Sequence, residues 1–106
     1  MLANPVAALP IALLSLLHGT VTIGPVTPVC RVGVPCDKPA ASVVLTFTRG
    51  ARVFRTKTHA DGAYTLRLPP GAYTVRSSEG MRISPLQVTA RKGSHLQGFS
   101  IDTGIR

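Results

Sequence analysis

Few side chains in this chain of 106 residues could act as acids, bases or nucleophiles. The candidates are four acidic residues and three histidines: Asp37, Asp61, Glu79, Asp102, His18, His59 and His95. A hydrolase triad could combine Ser42 and Asp102 with one of the two later histidines. The nucleophile motif G-x-S-x-G that would support such a triad is absent from the sequence. We therefore predict no catalytic residue and no enzymatic activity.

The histidines and glycines also give no indication of a bound metal or cofactor. His59 lies just before a predicted turn, and His95 lies in a later loop. Both are predicted to be solvated, with metal coordination as the alternative. The glycines are spaced about one per turn, unlike the clustered glycines of a phosphate-binding loop. We expect no cofactor and no metal ion.

The only two cysteines, Cys30 and Cys36, enclose a short loop that contains Gly33 and Pro35. A disulfide between them would close about seven residues and contribute about 2 kcal/mol by restricting the unfolded chain. The alternatives are two free thiols, or metal or redox chemistry, but the spacing fits neither a structural zinc pair nor a C-x-x-C motif. We expect a structural disulfide, which indicates an oxidising compartment.

The chain is strongly basic, with 12 Lys and Arg against 4 acidic residues and a formal net charge of +8. This charge favours anionic partners. The candidate ligand patch consists of five basic residues near the centre of the chain: Arg52, Arg55, Lys57, Arg67 and Arg76. Arg67 and Arg76 are expected to share one outward face, because both alternate with inward residues on consecutive strands. The alternative is a solvated surface with no specific ligand.

The aromatic residues argue against nucleic acid as the anionic partner. Nucleic-acid binding modules combine basic residues with exposed aromatic side chains. Four aromatic residues of this chain are assigned to the interior instead: Phe47, Tyr64, Tyr73 and Phe99. The expected partner is another envelope or secreted protein, or an anionic polymer or head group at the cell surface.

The N-terminal segment has the character of a signal peptide. Residues 6–17 are almost entirely apolar, but this run is well below the roughly 20 residues needed to cross a bilayer. Pro10 and the lack of a polar face argue against an amphipathic or buried helix. We expect residues 1–19 to be a leader, cleaved near residues 18–21. Residues 20–106 would then form one exported domain without a transmembrane anchor.

The rest of the chain alternates apolar and polar residues with a period of two, and no segment shows helical spacing. Residues 42–48 form the clearest early strand, and residues 51–58 return after a turn as an edge strand protected by basic side chains. Other strands are predicted at 20–23, 64–68, 72–76, 86–88 and 99–101. About seven short strands separated by turns predict an all-β sandwich of two sheets.

Residues 58–75, THADGAYTLRLPPGAYTV, match the pattern T-x-x-x-G-x-[YF]-x-[VL]-x-L-x-P-G-x-Y-x-V. In this run the chain resembles the carboxypeptidase regulatory-like family. The resemblance implies a single Greek-key, prealbumin-like β-sandwich. The matching residues are expected to form turns or to face the core, and not to take part in chemistry: Asp61, Gly62, Tyr64, Leu66, Leu68, Pro70, Gly71, Tyr73 and Val75. The chain departs from the family at residues 25–39, where the first connection carries the cysteine loop and several prolines.

Members of this family are non-catalytic appendages of exported peptidases, transporters and surface proteins, or small exported proteins on their own. The resemblance therefore implies a non-catalytic exported module with a structural or binding role at the cell envelope or outside the cell. The alternative is an accessory or regulatory subunit of a secreted peptidase or transporter.

Overall fold

The computed structural model describes residues 14–27, 29, 30, 33 and 36–105, and these contain β-strands but no helix. The strands are β1 (Ser15–Gly24), β2 (Lys38–Pro39), β3 (Val44–Arg49), β4 (Arg52–Lys57), β5 (Ala63–Leu68), β6 (Gly71–Ser77), β7 (Arg82–Ser84), β8 (Gln87–Ala90), β9 (Gly93–Leu96) and β10 (Phe99–Asp102). They form two sheets, which confirms the prediction of an all-β chain with two sheets. The strands that the sequence missed, β2, β7 and β9, have two to four residues each and are too short for alternation to reveal.

Strand β1 is the centre of a six-stranded sheet. Its first half pairs antiparallel with β5 on one side and parallel with β9 on the other. Its second half pairs antiparallel with β2 and parallel with β10, and β7 continues the sheet beyond β10. The whole sheet therefore depends on this one strand.

The predicted start of the first strand is wrong, because β1 begins at Ser15 and not near residue 20. Leu17 is fully buried, and His18 lies opposite Thr65 of β5. The predicted leader boundary at residue 19 consequently falls inside β1, and a cut near residues 18–21 would divide this strand. An apolar central strand and the apolar core of a leader are alike in composition, so sequence cannot separate them. Residues 1–13 lie outside the described residues.

The second sheet has four strands in the order β4-β3-β6-β8. Phe47 of β3 lies opposite Phe54 of β4 and Val75 of β6, and these side chains point toward the other sheet. Strand β4 forms one edge, as its basic residues predicted, and Val53 and Phe54 point to opposite faces.

The core lies between the two sheets and is joined across them by aromatic rings. Phe47 and Phe99 come from different sheets, and their ring centroids are 5.9 Å apart in an edge-to-face arrangement. Tyr64 packs against the same Phe99 ring at 5.7 Å. The buried side chains of the predicted strands include Leu45, Phe47, Tyr64, Leu68, Tyr73, Val75, Phe99 and Ile101. Leu66 is only partly buried at the edge of this cluster.

The turn before β5 can be formed only with glycine at position 62. Gly62 has a φ of 83°, and a Cβ atom at this position would lie 2.5 Å from the carbonyl oxygen of Val21. The Asp61 carboxylate accepts a 2.9 Å hydrogen bond from the backbone N–H of Ala63, which closes the turn. This close approach lets the turn pack directly on β1.

Candidate functional site

The structure places the candidate catalytic residues in separate structural roles. The Asp61 and Asp102 carboxylates each accept a hydrogen bond from a backbone N–H two residues later in the chain. His59 is exposed in the β4–β5 connection. His95 lies in β9 beside Leu17, and not in a loop as predicted. Within the described part of the chain, no group of three His, Cys, Asp or Glu side chains is arranged to hold a metal ion.

The two tyrosine hydroxyls stabilise the fold by donating hydrogen bonds to backbone carbonyl oxygens. The Tyr64 hydroxyl donates a 2.5 Å hydrogen bond to the Gln97 carbonyl oxygen, and burial raises the pKa of this phenol. The Tyr73 hydroxyl donates a 2.6 Å hydrogen bond to the carbonyl oxygen of Pro69, four residues earlier. Both rings are buried, with their hydroxyls satisfied by the backbone, which is the usual state of a buried tyrosine.

The predicted disulfide between Cys30 and Cys36 is confirmed. The Cys36 carbonyl oxygen also accepts a 2.7 Å hydrogen bond from the backbone N–H of Val26, which ties the disulfide-bonded segment to the residues after β1. A disulfide fits an oxidising compartment outside the cytoplasm.

The structure divides the five predicted patch residues between two places. Arg76 lies on β6 of the four-stranded sheet, whereas Arg67 lies on β5 of the six-stranded sheet. The prediction that these two side chains share one outward face is wrong, because consecutive strands here belong to different sheets. Alternation along a strand shows which residues point outward, but not to which sheet the strand belongs.

Three of the predicted residues do share a face, which we call the cationic sheet face: Arg55, Lys57 and Arg76, on the outer side of the four-stranded sheet. Arg55 and Arg76 lie on either side of Thr46 in the central strand β3, in one row across three strands. Lys57 lies two residues beyond Arg55 on the edge strand, opposite Val44. All three basic side chains are exposed. Sequence reasoning missed Thr46, because only the strand register places it between the two arginines.

The outward positions of this sheet carry no acidic residue. They are occupied by small polar, apolar and basic side chains: Val44, Thr46, Thr48, Val53, Arg55, Lys57, Ala72, Thr74, Arg76, Gln87 and Thr89. None of these side chains is a carboxylate, and the acidic residue beside the face is Glu79, which follows β6 and lines a cleft together with Arg76. The remaining patch residues, Arg52 and Arg67, lie toward the end of the sandwich where β1 begins.

Two clefts lie at the opposite end of the sandwich, near the end of β1. One has a volume of about 380 Å³ and is lined by the exposed side chains of Met81 and Leu86. The other has a volume of about 440 Å³ and is lined by Val26 and Ile105. Glu79 lines both clefts. The sequence does not predict these clefts, because the residues that line them come from segments far apart in the chain.

The described residues form no helix long and apolar enough to span a bilayer. No model of a known protein family matches this chain, and no curated protein sequence matches it either.

Proposed function

We propose that this chain is a non-catalytic β-sandwich module, secreted or held at the cell envelope, that binds an anionic envelope polymer through the cationic sheet face. The observation that carries the proposal is the charge of that face: three exposed cations on one sheet and no acidic residue among its outward positions. The Cys30–Cys36 disulfide supports the location outside the cytoplasm.

The geometry of the face suits an extended polymer. One strand separates Arg55 from Arg76, so the two Cα atoms lie about 10 Å apart, twice the spacing of neighbouring strands. Each guanidinium can donate two parallel hydrogen bonds to a carboxylate or a phosphate. The Thr46 hydroxyl between them can donate to an uncharged oxygen of the same ligand. Such a row matches acidic groups repeated along a linear chain.

The burial of the aromatic rings supports a polysaccharide or polyphosphate partner over nucleic acid. Four of the five aromatic side chains are 4% exposed or less, and Phe54 is packed against Tyr73. Single-stranded nucleic acid is bound largely by stacking its bases on exposed rings. The described surface offers no such ring, whereas acidic glycans and teichoic-type polymers need only the cations.

We also propose that the chain is a divergent member of the carboxypeptidase regulatory-like family with a Greek-key, prealbumin-like topology. What supports this is the role of the motif residues. Gly62 forms the turn before β5, Tyr64 and Leu68 face the core from that strand, and Tyr73 and Val75 face it from β6.

The proposal is tested with the full-length chain, its disulfide intact, on beads that carry polygalacturonate, poly(glycerol phosphate) or neutral dextran. We expect retention on one or both acidic polymers and none on dextran, with release at about 0.5 M salt because screening shortens the range of the charges. The two acidic polymers distinguish carboxylate from phosphate recognition. The triple variant R55S/K57S/R76S should lose at least tenfold in affinity.

The matched control is R52S/R91S/K92S, which also removes three exposed cations but leaves the cationic sheet face intact. It should keep most of the affinity. Equal losses in the two variants would mean that only net charge matters, and no retention at low salt would exclude an acidic polymer as the partner. Either result overturns the proposed function.

A second candidate is an accessory subunit of a secreted peptidase or transporter. The observation that favours it is the pair of clefts, because Met81 and Leu86 are exposed beside one of them, at 72% and 57%. Exposed apolar side chains grouped around a cleft are typical of a protein contact. Stoichiometric co-purification of an enzyme or transporter from the native cell, abolished by Met81→Ser with Leu86→Ser, would support this candidate over the first.

A further inference from the structure

One of the two clefts adjoins the cationic sheet face. This cleft, of about 380 Å³, lies between β6 and the segment that contains β7, and we call it the β6–β7 cleft. Arg76 belongs to the cationic sheet face and also lines the cleft. Thr74, another outward residue of β6, lines it as well. A ligand that lies across the cationic sheet face therefore reaches the cleft directly.

The β6–β7 cleft exists because β8 pairs with only part of β6. The register of these strands runs from Gly71 opposite Ala90 to Thr74 opposite Gln87. One further hydrogen bond, of 2.8 Å, joins the Val75 backbone N–H to the Leu86 carbonyl oxygen. The segment before Leu86 crosses to the other sheet instead, where β7 pairs with β10. The cleft occupies the space left beside the last residues of β6.

The cleft combines an apolar base with exposed apolar walls. Val75 and Ile83 line it and are buried in the core. Met81 and Leu86 line it with most of their side chains exposed to water. Covering these two side chains with an apolar group of a ligand would remove apolar surface from water, which is favourable.

The wall that carries Met81 is anchored to β10 of the six-stranded sheet. The Met81 backbone N–H donates a 2.6 Å hydrogen bond to the Asp102 carbonyl oxygen. Gly80 has a φ of 80°, and a Cβ atom at this position would collide with the Ile101 side chain. The cleft is therefore built into the packing of the two sheets, as binding sites for small groups usually are.

The charges around the cleft favour an uncharged group inside it. Glu79 lines the cleft and is held in a tight turn, because the Ser77 hydroxyl bonds to its backbone carbonyl oxygen and N–H. Arg82 also lines the cleft, but it lies opposite Asp102 on β10, whose carboxylate offsets its charge. A second acid would be repelled by Glu79, whereas a carboxylate can accept a hydrogen bond from a hydroxyl or an amide N–H.

We propose that the β6–β7 cleft binds the acyl groups of an acylated acidic glycan, while the cationic sheet face binds the acidic groups of the same chain. Arg76 lies at the boundary and binds the acidic group next to the acylated sugar. The methyl end of the acyl group contacts Met81 and Leu86. This inference rests on the proposed function and names the class of polymer, because acidic and acyl groups occur together on polysaccharides and not on inorganic polyphosphate.

The test compares two forms of one polymer, polygalacturonate and partly O-acetylated polygalacturonate with the same carboxylate content, on beads with the full-length, disulfide-bonded chain. We expect the acetylated form to be bound about fourfold more tightly, which is the factor for burying one methyl group. The variant M81S/L86S should bind both forms equally. Its affinity for the unacetylated form should stay within about twofold of the parent, because the cationic sheet face is intact.

The matched control is V29S/L96S, which also replaces two exposed apolar side chains but leaves the described lining of the cleft intact. It should keep the fourfold preference. Circular dichroism of both variants establishes that they are folded.

The outcomes separate this inference from the proposed function on which it rests. Equal binding of the two forms by the parent chain, or a preference that survives in M81S/L86S, overturns the inference and leaves the proposed function standing. Equal binding together with an enzyme partner that depends on Met81 and Leu86 would assign the cleft to a protein contact. Retention of neither form at low salt overturns both proposals.

Discussion

Buried hydroxyl groups in this protein are satisfied by nearby backbone groups, with one exception among the described residues. The Thr58 hydroxyl donates to the Ala40 carbonyl oxygen and accepts a 2.9 Å hydrogen bond from the backbone N–H of Val43. The Ser15 hydroxyl is fully buried but has no hydrogen-bond partner in the described part of the chain. An unpaired buried hydroxyl costs stability, because it gives up its bonds to water.

Replacing Ser15 with alanine should therefore stabilise the protein. The change removes the unpaired polar group and leaves a side chain that fits the same space, so we expect the free energy of unfolding to rise by about 1 kcal/mol. Denaturant unfolding measures the change. Ser100→Ala, at an exposed position on β10, is the control and should stay within about 0.5 kcal/mol of the parent. A loss of stability in Ser15→Ala would mean that the hydroxyl is hydrogen-bonded in solution.

Tyr64 should make the protein less stable in alkaline solution. Burial raises the pKa of its phenol above the ordinary value of about 10. Above that pH the unfolded chain loses the phenolic proton while the folded chain keeps it, so the unfolded state binds fewer protons and stability falls as pH rises. Below pH 10 this group makes no pH-dependent contribution.

The variant Tyr64→Phe tests this expectation. It loses the hydrogen bond to the Gln97 carbonyl oxygen, which should cost about 1 kcal/mol at neutral pH. Its stability should then decline less steeply than that of the parent above about pH 10. Unfolding curves collected across this range measure both slopes. Parallel slopes in the two proteins would show that another group causes the alkaline loss.

At the scale of the elements, the length of β1 decides how the six-stranded sheet is built. The first half of this strand is the only described link between β5 and β9. Had the strand begun near residue 20, as predicted, those two strands would lack their common partner. A domain that starts after the predicted cleavage region would therefore lose half of its central strand.

Leu17→Ala tests whether this first half belongs to the folded domain. Leu17 is 0% exposed, so truncating it should lower the free energy of unfolding by about 2 to 5 kcal/mol. The control is Leu96→Ala on the neighbouring strand β9, where the side chain is 73% exposed and the change should stay within about 0.5 kcal/mol. Equal, small effects in the two variants would mean that β1 does not extend to Leu17 in solution.

At the scale of the whole molecule, most of the exposed basic residues fall into two separate groups. The cationic sheet face lies on the outer side of the four-stranded sheet, whereas five other cations lie at the end of the sandwich where β1 begins: Arg49, Arg52, Arg67, Arg91 and Lys92. Substitutions in the second group should consequently leave the cationic sheet face unchanged, which is the basis of the matched control variant proposed above.

The disulfide acts on the stability of the whole chain through the unfolded state. Replacing both Cys30 and Cys36 with serine should lower the free energy of unfolding by about 2 kcal/mol, because a loop of about seven residues is no longer closed. Denaturant unfolding of the variant against the parent measures this loss, and reduction of the parent should reproduce it. Under conditions in which this variant is folded, its cationic sheet face should still bind acidic polymers. An unchanged stability would show that the loop is equally restricted without the bond.

Much of this architecture was predictable from local pattern. Apolar and polar residues alternate so regularly in strands 42–48, 64–68 and 72–76 that the direction of each side chain follows from the period of two. The spacing of Cys30 and Cys36 by itself predicts a disulfide. The turn at Asp61-Gly62 was likewise visible, because a tight backbone approach needs glycine.

Sequence alone therefore determined that the chain is all-β, which side chains of its most regular strands face the core for the most part, and that its composition is basic. Only the tertiary structure decided that Arg67 and Arg76 lie on different sheets, that Thr46 separates two arginines, and that five distant cations share one end. It also decided that Ser15–Gly24 is a single strand. The physical reason is that alternation is a property of one strand, whereas the partner of each strand is selected by contacts between residues far apart in the chain.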